Sequence, residues 1–408
     1  MKSLNHTISD KTLFEQQLLT YFKDKKNIVF LNSNDSSKTN LFAVSDNDNV
    51  DDNDWQFGFI SYDYKNKLEA LSSDNFDRIH FPEKHFFTPE ILFKIREGEI
   101  EVVYQLSFYS QETITNIIAE IQLLVITESE FKEIKVAPRV SKEEYLKNVN
   151  ALKHHIQLGN IYEVNYCQEY YVENVQTNPI DVYLRLNKKS PTPFSCFVKC
   201  GSKYLMSASP ERFIQKKDNK ISSQPIKGTI KRGATEQEDE VLKKQLFSDA
   251  KERSENIMIV DLVRNDLSKI AQKSTLKVEE LCGIYTFPQV HQMISTVSAE
   301  VQKEVNFEGI IKATFPMGSM TGAPKIRAME LIEEYEETKR GLYSGTVGYI
   351  NKEGDFDFNV VIRSILYNQE NNYLSFIVGG AITNQSDPEK EYEECLLKAK
   401  AMLEVLKN

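Results

Sequence analysis

Three apolar segments separated by short polar turns near the end of the chain constrain its fold most strongly. The segments read GLYSGTVGYI, FDFNVVIRSILY and NYLSFIVGGAIT, and the turns between them read NKEGD and NQEN. Runs of aromatic and β-branched residues of this length, bounded by turn residues, predict three β-strands. Gly379 and Gly380 lie in the third segment, where missing side chains would leave room for a ligand against the backbone.

Arg363 lies inside the second of these segments, directly after the apolar run VVI. A cation among apolar residues needs a partner, because an unpaired buried charge is costly. Two interpretations remain open: a salt bridge within the core, and recognition of a carboxylate ligand. The planar guanidinium suits bidentate binding in either case.

Helix start signals mark two further regions. Ser141 and Glu144 form a capping-box pattern before a helix that is predicted to end at Gly159. Thr235 and Glu238 form the same pattern ahead of FSDAKERSENIMIVDLVRNDLSKI, a segment that predicts one long, largely buried helix.

The last segment of the chain, SDPEKEYEECLLKAKAMLEVLKN, predicts a C-terminal helix. Ser386 or Asp387 serves as its cap, and Pro388 takes the first helical position. Apolar residues at helical spacing define the expected buried stripe: Tyr392, Cys395, Leu396, Ala399, Leu403 and Leu406.

Pairs of glutamates three positions apart occur on both of these long helices. Glu252 and Glu255 form one pair, and Glu391 and Glu394 form the other, with Lys398 continuing the second row. Two such pairs could hold one hard cation, because Mg²⁺ prefers oxygen ligands and is shared between carboxylates and an anionic substrate. Solvated helix faces are the alternative, because residues at this spacing share a face on any surface helix.

One isolated lysine, Lys227, stands in the segment SSQPIKGTIKRG. The small residues around it, including Gly228 and Thr229, predict a turn that lets a ligand approach the backbone closely. These residues alone leave two interpretations open, a ligand-binding lysine and an ordinary solvated one.

The composition excludes several classes of protein. The 408-residue chain has 60 acidic against 50 basic residues and a net charge of −10, without the dense basic block of a nucleic-acid interface. No apolar run has the length of a membrane span or the form of a signal peptide, so a cytoplasmic protein without a membrane partner is expected. Five cysteines without a CxxC pair suggest neither a disulfide framework nor a zinc site.

Seven segments in one order carry a resemblance to a known family: SASPERF, PIKGT, KERSENIMIVDLVRNDL, MGSMTGAPKIRAMELI, YSGTVGYI, VVIRS and EYEECLLKAKAML. They resemble the chorismate-utilising enzymes, which include component I of anthranilate synthase, component I of aminodeoxychorismate synthase, and the isochorismate and salicylate synthases. The resemblance implies an α+β fold in which two β-sheets are sandwiched around the active site, with helices on the outer faces. Two regions are expected: a β-rich N-terminal region, residues 1–135, packing on the core, and a chorismate-binding catalytic domain, residues 140–405.

The resemblance also assigns binding roles. Glu255 and Glu394 are implied to bind Mg²⁺, with Glu252 and Glu391 acting through water. Chorismate carries two carboxylates, and the metal would hold one of them. The implied substrate contacts come from Tyr343, Arg363, Lys398 and the backbone around Gly228, Thr229, Gly379 and Gly380.

Lys227 and Glu211 are the implied catalytic residues. The position of Lys227 typically holds alanine in the anthranilate and isochorismate synthases and lysine in aminodeoxychorismate synthase. The lysine is expected to have a lowered pKa, because neighbouring cations and partial desolvation both favour the free amine. By resemblance, Lys227 is expected to add to C2 of chorismate as the C4 hydroxyl leaves, and ammonia is expected to resolve the adduct at C4. Glu211, in SPERF, is the implied general acid and has to be protonated.

Two positions depart from better-known members of the family. Glu163 stands where isochorismate-forming enzymes carry a water-activating lysine, which argues against hydration chemistry. Gln292 aligns with a histidine that assists pyruvate release in anthranilate synthases, although a shift of one residue would bring His291 into that role. The segment FLNS resembles the tryptophan-binding LLES of feedback-inhibited anthranilate synthases only loosely, so tryptophan inhibition is not predicted.

The expected function is therefore Mg²⁺-dependent amination of chorismate at C4, an aminotransferase-type reaction that yields 4-amino-4-deoxychorismate for p-aminobenzoate and folate synthesis. Anthranilate synthase component I and an inactive regulatory subunit are the alternatives. No glutaminase region is recognised in the sequence, so the expected partner is a glutamine amidotransferase subunit that supplies ammonia.

Overall fold

Caps and turns along the chain set where each helix and strand begins and ends. The computed structural model describes residues 1–127 and 131–407. Those residues contain ten α-helices: α1 (Lys11–Tyr21), α2 (Lys65–Leu68), α3 (Gln111–Leu123), α4 (Lys142–Gln157), α5 (Pro179–Lys189), α6 (Glu236–Ser248), α7 (Ala250–Ser268), α8 (Phe307–Thr314), α9 (Lys325–Tyr335) and α10 (Pro388–Val405). None of the helices in these ranges is long and apolar enough to cross a membrane.

The same residues contain twenty-one strands. In the first half of the chain they are β1 (Lys2–Thr7), β2 (Asn27–Asn32), β3 (Asn40–Ser45), β4 (Gln56–Ile60), β5 (Lys84–Phe87), β6 (Ile91–Arg96), β7 (Glu99–Tyr104), β8 (Ala137–Pro138), β9 (Glu163–Val172), β10 (Phe194–Cys200) and β11 (Lys203–Ser209). In the second half they are β12 (Arg212–Lys217), β13 (Lys220–Gln224), β14 (Ile226–Lys231), β15 (Lys277–Thr286), β16 (Val290–Glu300), β17 (Gly322–Ala323), β18 (Thr346–Ile350), β19 (Phe356–Asn359), β20 (Ser364–Asn368) and β21 (Tyr373–Ile382).

Side-chain caps confirm the helix starts that the sequence predicts. Ser141 before α4 and Thr235 before α6 each accept a hydrogen bond from the backbone N–H three residues later. Asp387 caps α10, and Pro388 takes its first position. The predicted stop also holds, because α4 ends just before Gly159, which has a φ of +77°.

The strands form two antiparallel sheets. The larger sheet has twelve strands in the order β1-β7-β6-β3-β2-β10-β11-β20-β21-β9-β17, with β8 also beside β9. The smaller sheet has nine strands in the order β14-β16-β13-β12-β19-β18-β4-β5, with β15 also beside β16. Strands from the first hundred residues complete both sheets, since β2 pairs with β10 and β4 pairs with β18. The division of the chain near residues 135–140 stays a prediction.

Two hydrophobic clusters separate the layers. One lies between the sheets, where Phe57 and Phe59 of the smaller sheet belong to the same cluster as Val198 and Leu205 of the larger one. The other lies on the outer face of the larger sheet, under α1, α3, α4, α5, α9 and α10. Helix α7 packs on β14, β15 and β16 of the smaller sheet. The expected fold of two sheets with helices outside them is confirmed.

The prediction of a single strand over FDFNVVIRSILY is wrong. β19 ends at Asn359 in the smaller sheet, and β20 begins at Ser364 in the larger sheet. The residues between them carry the chain from one sheet to the other, and Arg363 adopts a φ of +50° in this crossing. Arg363 therefore lies at the crossing between the sheets and not within a strand.

Two helix predictions are wrong in detail. α6 and α7 are separate helices, because Asp249 caps α7 by accepting a hydrogen bond from the backbone N–H of Glu252. The buried stripe of α10 is shifted, since Leu396 is exposed whereas Met402 and Val405 are buried. α10 packs against β21, α4 and α5, and its buried face follows those neighbours.

Candidate active site

Lys227 lies in an edge strand of the smaller sheet. It is part of β14, which pairs with β16, and the register shifts between Ile226 and Thr229 to leave a bulge. Gly228 in the bulge has a φ of +94°, a conformation that glycine adopts without steric cost. The predicted turn is therefore wrong, because the ladder with β16 continues on both sides of the bulge.

The ammonium group of Lys227 contacts one carboxylate directly. Its Nζ lies 3.2 Å from Oε1 of Glu163, and the two side chains are 13% and 2% exposed. Glu163 is the first residue of β9, so this pair joins the smaller sheet to the larger one. The second carboxylate oxygen, Oε2 of Glu163, is buried without a hydrogen-bond partner among the described residues.

The charges around Lys227 keep it protonated. Burial alone would lower the pKa of Lys227, but the carboxylates of Glu163, Glu255 and Glu394 outweigh burial and raise it above its ordinary value. The expectation of a lowered pKa is wrong, because the neighbouring charges are anions and not cations. Lys227 is thus an ammonium group held by Glu163.

Two helices bring the predicted metal-binding glutamates to one region. Glu252 and Glu255 lie near the start of α7, and Glu391 and Glu394 lie near the start of α10. Glu255 and Glu391 are buried, Glu252 is half-buried and Glu394 is exposed. Burial raises the pKa of Glu252 and of Glu391, and the charge of Glu394 raises both further.

The side chain of Lys251, which belongs to α7, lies between carboxylates of the two helices. Its Nζ lies 3.8 Å from Oε1 of Glu255 on its own helix and 3.8 Å from Oε1 of Glu391 on α10. Burial raises the pKa of Glu255 to about 7, and the charges of Lys227 and Lys251 oppose this only in part. The carboxylates together form an anionic region that attracts cations.

The donor set fits Mg²⁺ in its chemistry. All four glutamates offer carboxylate oxygens, which this ion prefers, and a divalent cation would relieve the repulsion between them. Within residues 1–127 and 131–407 no three potential ligands already converge on one metal position. An ion that keeps several waters and shares an anionic substrate does not need such a preformed cluster.

Two glycines of β21 border this region in different ways. A Cβ at Gly380 would lie 3.6 Å from Oε1 of Glu394, so the backbone faces the carboxylates. A Cβ at Gly379 would lie 2.3 Å from the carbonyl oxygen of Tyr166, so strand packing requires this glycine. Lys398 donates a hydrogen bond to the carbonyl oxygen of Gly379 and pairs with Glu394, both at 2.7 Å.

Glu211 and Arg363 influence each other's charge near the crossing between the sheets. Burial raises the pKa of Glu211 to about 7, against the opposing charges of Lys227 and Arg363. Burial lowers the pKa of Arg363, and the charge of Glu211 opposes that shift. No carboxylate of the described residues lies within 4.0 Å of the Arg363 guanidinium. Of the two interpretations of Arg363, its geometry favours a carboxylate ligand over a core salt bridge.

The remaining predicted substrate contacts differ in exposure. Tyr343 is buried, and its hydroxyl lies 3.8 Å from Sγ of Cys167. Thr229 is exposed, and its backbone lies beside the Gly228 bulge. The backbone of Thr229 therefore remains the candidate for substrate contact. The substrate roles of these residues stay predictions.

His291 is engaged in contacts of its own. Its Nε2 lies 2.9 Å from Oδ1 of Asp239 on α6, and its Nδ1 lies 3.0 Å from the hydroxyl oxygen of Thr286 on β15. Gln292 is buried beside it, and its side-chain oxygen has no partner among the described residues. Both ring nitrogens of His291 therefore have a partner, Nε2 on α6 and Nδ1 on the neighbouring strand β15.

Two site features were missed by sequence reasoning. The sequence analysis assigns no role to Lys251, although its spacing of four from Glu255 is a helical ion-pair signal. The contact between Glu163 and Lys227 joins two strands of different sheets. No local pattern predicts such a contact.

The comparison with known families identifies the chain. A family model described as chorismate binding enzyme matches residues 7–404. The chain belongs to the chorismate-binding enzymes. A solved anthranilate synthase component I from Streptococcus pneumoniae TIGR4 has the same fold, with a TM-score of 0.78 and 24% identity over 99% of this chain and 92% of that one.

Curated relatives carry two different names. The chloroplastic aminodeoxychorismate synthase of Arabidopsis thaliana is 33% identical over 365 residues, which cover 84% of this chain and 39% of that protein. Aminodeoxychorismate synthase component 1 of Bacillus subtilis (strain 168) is 31% identical over 86% of this chain and 76% of its own length. Anthranilate synthase component 1 of Acetivibrio thermocellus is 33% identical over 86% of this chain and 74% of its own length. This chorismate-binding chain thus spans less than half the length of the plant relative.

Proposed function

We propose that this chain is component I of an aminodeoxychorismate synthase, which aminates chorismate at C4. The observation that carries the proposal is the buried ammonium group of Lys227, held by Glu163 where the two sheets meet. By resemblance, this position holds lysine in the aminodeoxychorismate synthases and alanine in the anthranilate synthases. Similarity alone does not choose between them, because relatives with either name are 33% identical to this chain.

The charges of the site suit the two carboxylates of chorismate. The guanidinium of Arg363, which has no carboxylate within 4.0 Å among residues 1–127 and 131–407, offers a bidentate partner for one of them. Lys398, Tyr343 and the backbone around Gly228 and Gly380 are the other proposed substrate contacts. Glu255 and Glu394, assisted through water by Glu252 and Glu391, would hold Mg²⁺, which supplies charge neutralisation for the other carboxylate.

The covalent chemistry falls to Lys227 and Glu211. The amine of Lys227 forms a bond to C2 of chorismate while the C4–O bond breaks. Glu211, whose burial raises its pKa to about 7, gives its proton to the departing hydroxyl, which leaves as water. Ammonia then bonds to C4 as the C2–N bond breaks, and this step releases 4-amino-4-deoxychorismate and frees the lysine.

The name of the Bacillus relative, component 1, supports a two-component enzyme. The proposed partner is a glutamine amidotransferase subunit that delivers ammonia. The purified chain should use ammonium and should gain the use of glutamine only when such a subunit is added. Glutamine-dependent turnover by the rigorously purified chain alone would contradict this arrangement.

The identity of the aromatic product tests the proposed function. The chain is supplied with chorismate, Mg²⁺ and ammonium at alkaline pH, with and without a separate aminodeoxychorismate lyase. The proposal predicts p-aminobenzoate that appears only when the lyase is present. Anthranilate formed without the lyase would assign the chain to the anthranilate synthases, and a folded chain that consumes no chorismate would be the inactive subunit.

A further inference from the structure

Glu163 is the only carboxylate of the described residues within 4.0 Å of the Lys227 ammonium group. We propose that Glu163 is the proton acceptor that converts this ammonium group into the nucleophilic amine. This inference rests on the proposed function, because it assigns the base for the same covalent step.

The distance between the two groups permits direct proton transfer. Nζ of Lys227 and Oε1 of Glu163 are separated by 3.2 Å, which is within reach of a general base and its proton. Glu255 and Glu394 influence Lys227 only through their charges, since neither lies within 4.0 Å of its Nζ. A proton that leaves Lys227 toward a protein side chain therefore has one direct destination among the described residues.

The hydrogen bonding of Glu163 differs from that of a structural carboxylate. Glu336, a buried glutamate that also contacts β9, accepts hydrogen bonds on both oxygens, from Arg340 at 2.6 and 2.9 Å and from the backbone N–H of Cys167 at 2.9 Å. One oxygen of Glu163 contacts Lys227, and the other, Oε2, is buried without a hydrogen-bond partner in the part of the chain that the structure describes. A carboxylate with unused acceptor capacity can take up a proton without breaking an existing network.

The charges of the site create the need for such a base. An ammonium group has no lone pair and cannot attack C2 until it gives up a proton, and the Glu163 carboxylate that holds it favours the charged form. Transfer to Glu163 turns a charged pair into a neutral amine and a neutral carboxylic acid, which a buried site tolerates well.

The protons and bonds balance over the whole cycle. Glu163 takes one proton from Lys227, the neutral amine bonds to C2, and the adduct nitrogen carries the positive charge. When ammonia bonds to C4 and the C2–N bond breaks, the lysine leaves as a neutral amine and recovers its proton from Glu163. The new C4 ammonium group returns a proton to Glu211, so chorismate and ammonia give the amine and water.

The test measures how fast Lys227 is modified in the absence of ammonia. Enzyme, chorismate and Mg²⁺ are mixed and quenched over time, and intact-protein mass spectrometry follows the adduct. Glu163→Gln keeps the shape of the side chain but cannot accept the proton. The adduct should form at least about 100-fold more slowly, which is the usual contribution of a general base.

Control variants separate this role from a structural one. Glu173→Gln makes the same change of charge at an exposed position just beyond β9 and should leave the rate unchanged. Chorismate binding to Glu163→Gln, measured by equilibrium dialysis, should stay close to that of the wild type. The slow rate should recover as pH rises, because hydroxide then removes the proton that the side chain at residue 163 no longer accepts.

The opposite result has a clear meaning. If Glu163 only restrains Lys227 as an ion pair, removing its charge frees the amine, and Glu163→Gln forms the adduct as fast as the wild type or faster. That outcome overturns the inference and leaves the proposed function standing. If the wild type forms no adduct, the proposed nucleophile itself fails. Should Glu163→Gln not fold, Glu163→Asp withdraws the carboxylate by one methylene, and an undiminished rate in that variant overturns the inference equally.

Discussion

Glu255 on α7 and Glu391 on α10 face the same ammonium group, because Nζ of Lys251 lies 3.8 Å from an oxygen of each. The lysine connects two helices that enter the site from different parts of the chain. A divalent cation bound between these helices needs the same carboxylates. If Mg²⁺ binds as proposed, the lysine and the metal would compete for these carboxylates.

Removing that competitor should tighten metal binding. We expect Lys251→Gln to bind Mg²⁺ about fivefold more tightly, if its two partly exposed ion pairs are worth about 1 kcal/mol together. Isothermal titration calorimetry measures the affinity directly. Lys400→Gln removes a lysine whose ion-pair partner is Glu404, away from these carboxylates. This control variant should bind Mg²⁺ as tightly as the wild type. Unchanged or weaker binding in Lys251→Gln would show that the lysine does not compete.

Replacing a proposed metal ligand should have the opposite effect. Glu255→Gln removes one charge while keeping the shape, so Mg²⁺ affinity and chorismate turnover should both fall by at least about tenfold. Calorimetry and a chorismate-depletion assay measure these, and circular dichroism should show an intact fold. Glu393→Gln, an exposed position on α10, is the matched control. Full metal affinity in Glu255→Gln would remove this residue from the ligand set.

The neighbouring glycines of β21 should separate stability from binding. An alanine at residue 379 would meet the carbonyl oxygen of Tyr166 at 2.3 Å, so Gly379→Ala should destabilise the fold by about 1–3 kcal/mol. An alanine at residue 380 meets nothing closer than 3.4 Å, so Gly380→Ala should keep its stability and lose chorismate affinity. Thermal unfolding and equilibrium dialysis distinguish the two. Equal losses of stability would contradict the different surroundings of the two residues.

The buried carboxyl of Glu211 should make stability depend on pH. Burial raises its pKa from 4.5 to about 7, so the folded state holds this proton more tightly than the unfolded state does. The tightly held proton of Glu211 therefore adds about 3 kcal/mol to the free energy of unfolding. This stabilisation is complete below pH 4.5 and is lost as the pH rises through 7. Denaturant unfolding at pH 5 and pH 8, compared between the wild type and Glu211→Gln, isolates that loss. A difference between the two proteins that does not change with pH would mean that Glu211 is already ionised.

The sequence predicted those features that local signals determine. Local capping patterns predict where three helices begin, at Ser141, Thr235 and Asp387, because a cap is a short-range hydrogen bond. Arg363 was misplaced in a strand, because only the pairing of β19 and β20 with distant strands shows that the chain changes sheet there. The prediction of a free amine at Lys227 was wrong for a similar reason, since long-range packing determines which charges surround this residue.

Mass spectrometry of the covalent adduct tests the central claim, that Lys227 is the nucleophile of a C4 amination. Wild-type chain mixed with chorismate and Mg²⁺, without ammonia, should gain the mass of the adduct on the peptide that contains Lys227. Lys227→Ala should lose the adduct and nearly all C4 amination while it still binds chorismate, because nucleophilic assistance lowers the barrier and leaves ground-state binding in place. An unchanged rate of C4 amination in Lys227→Ala would contradict the account.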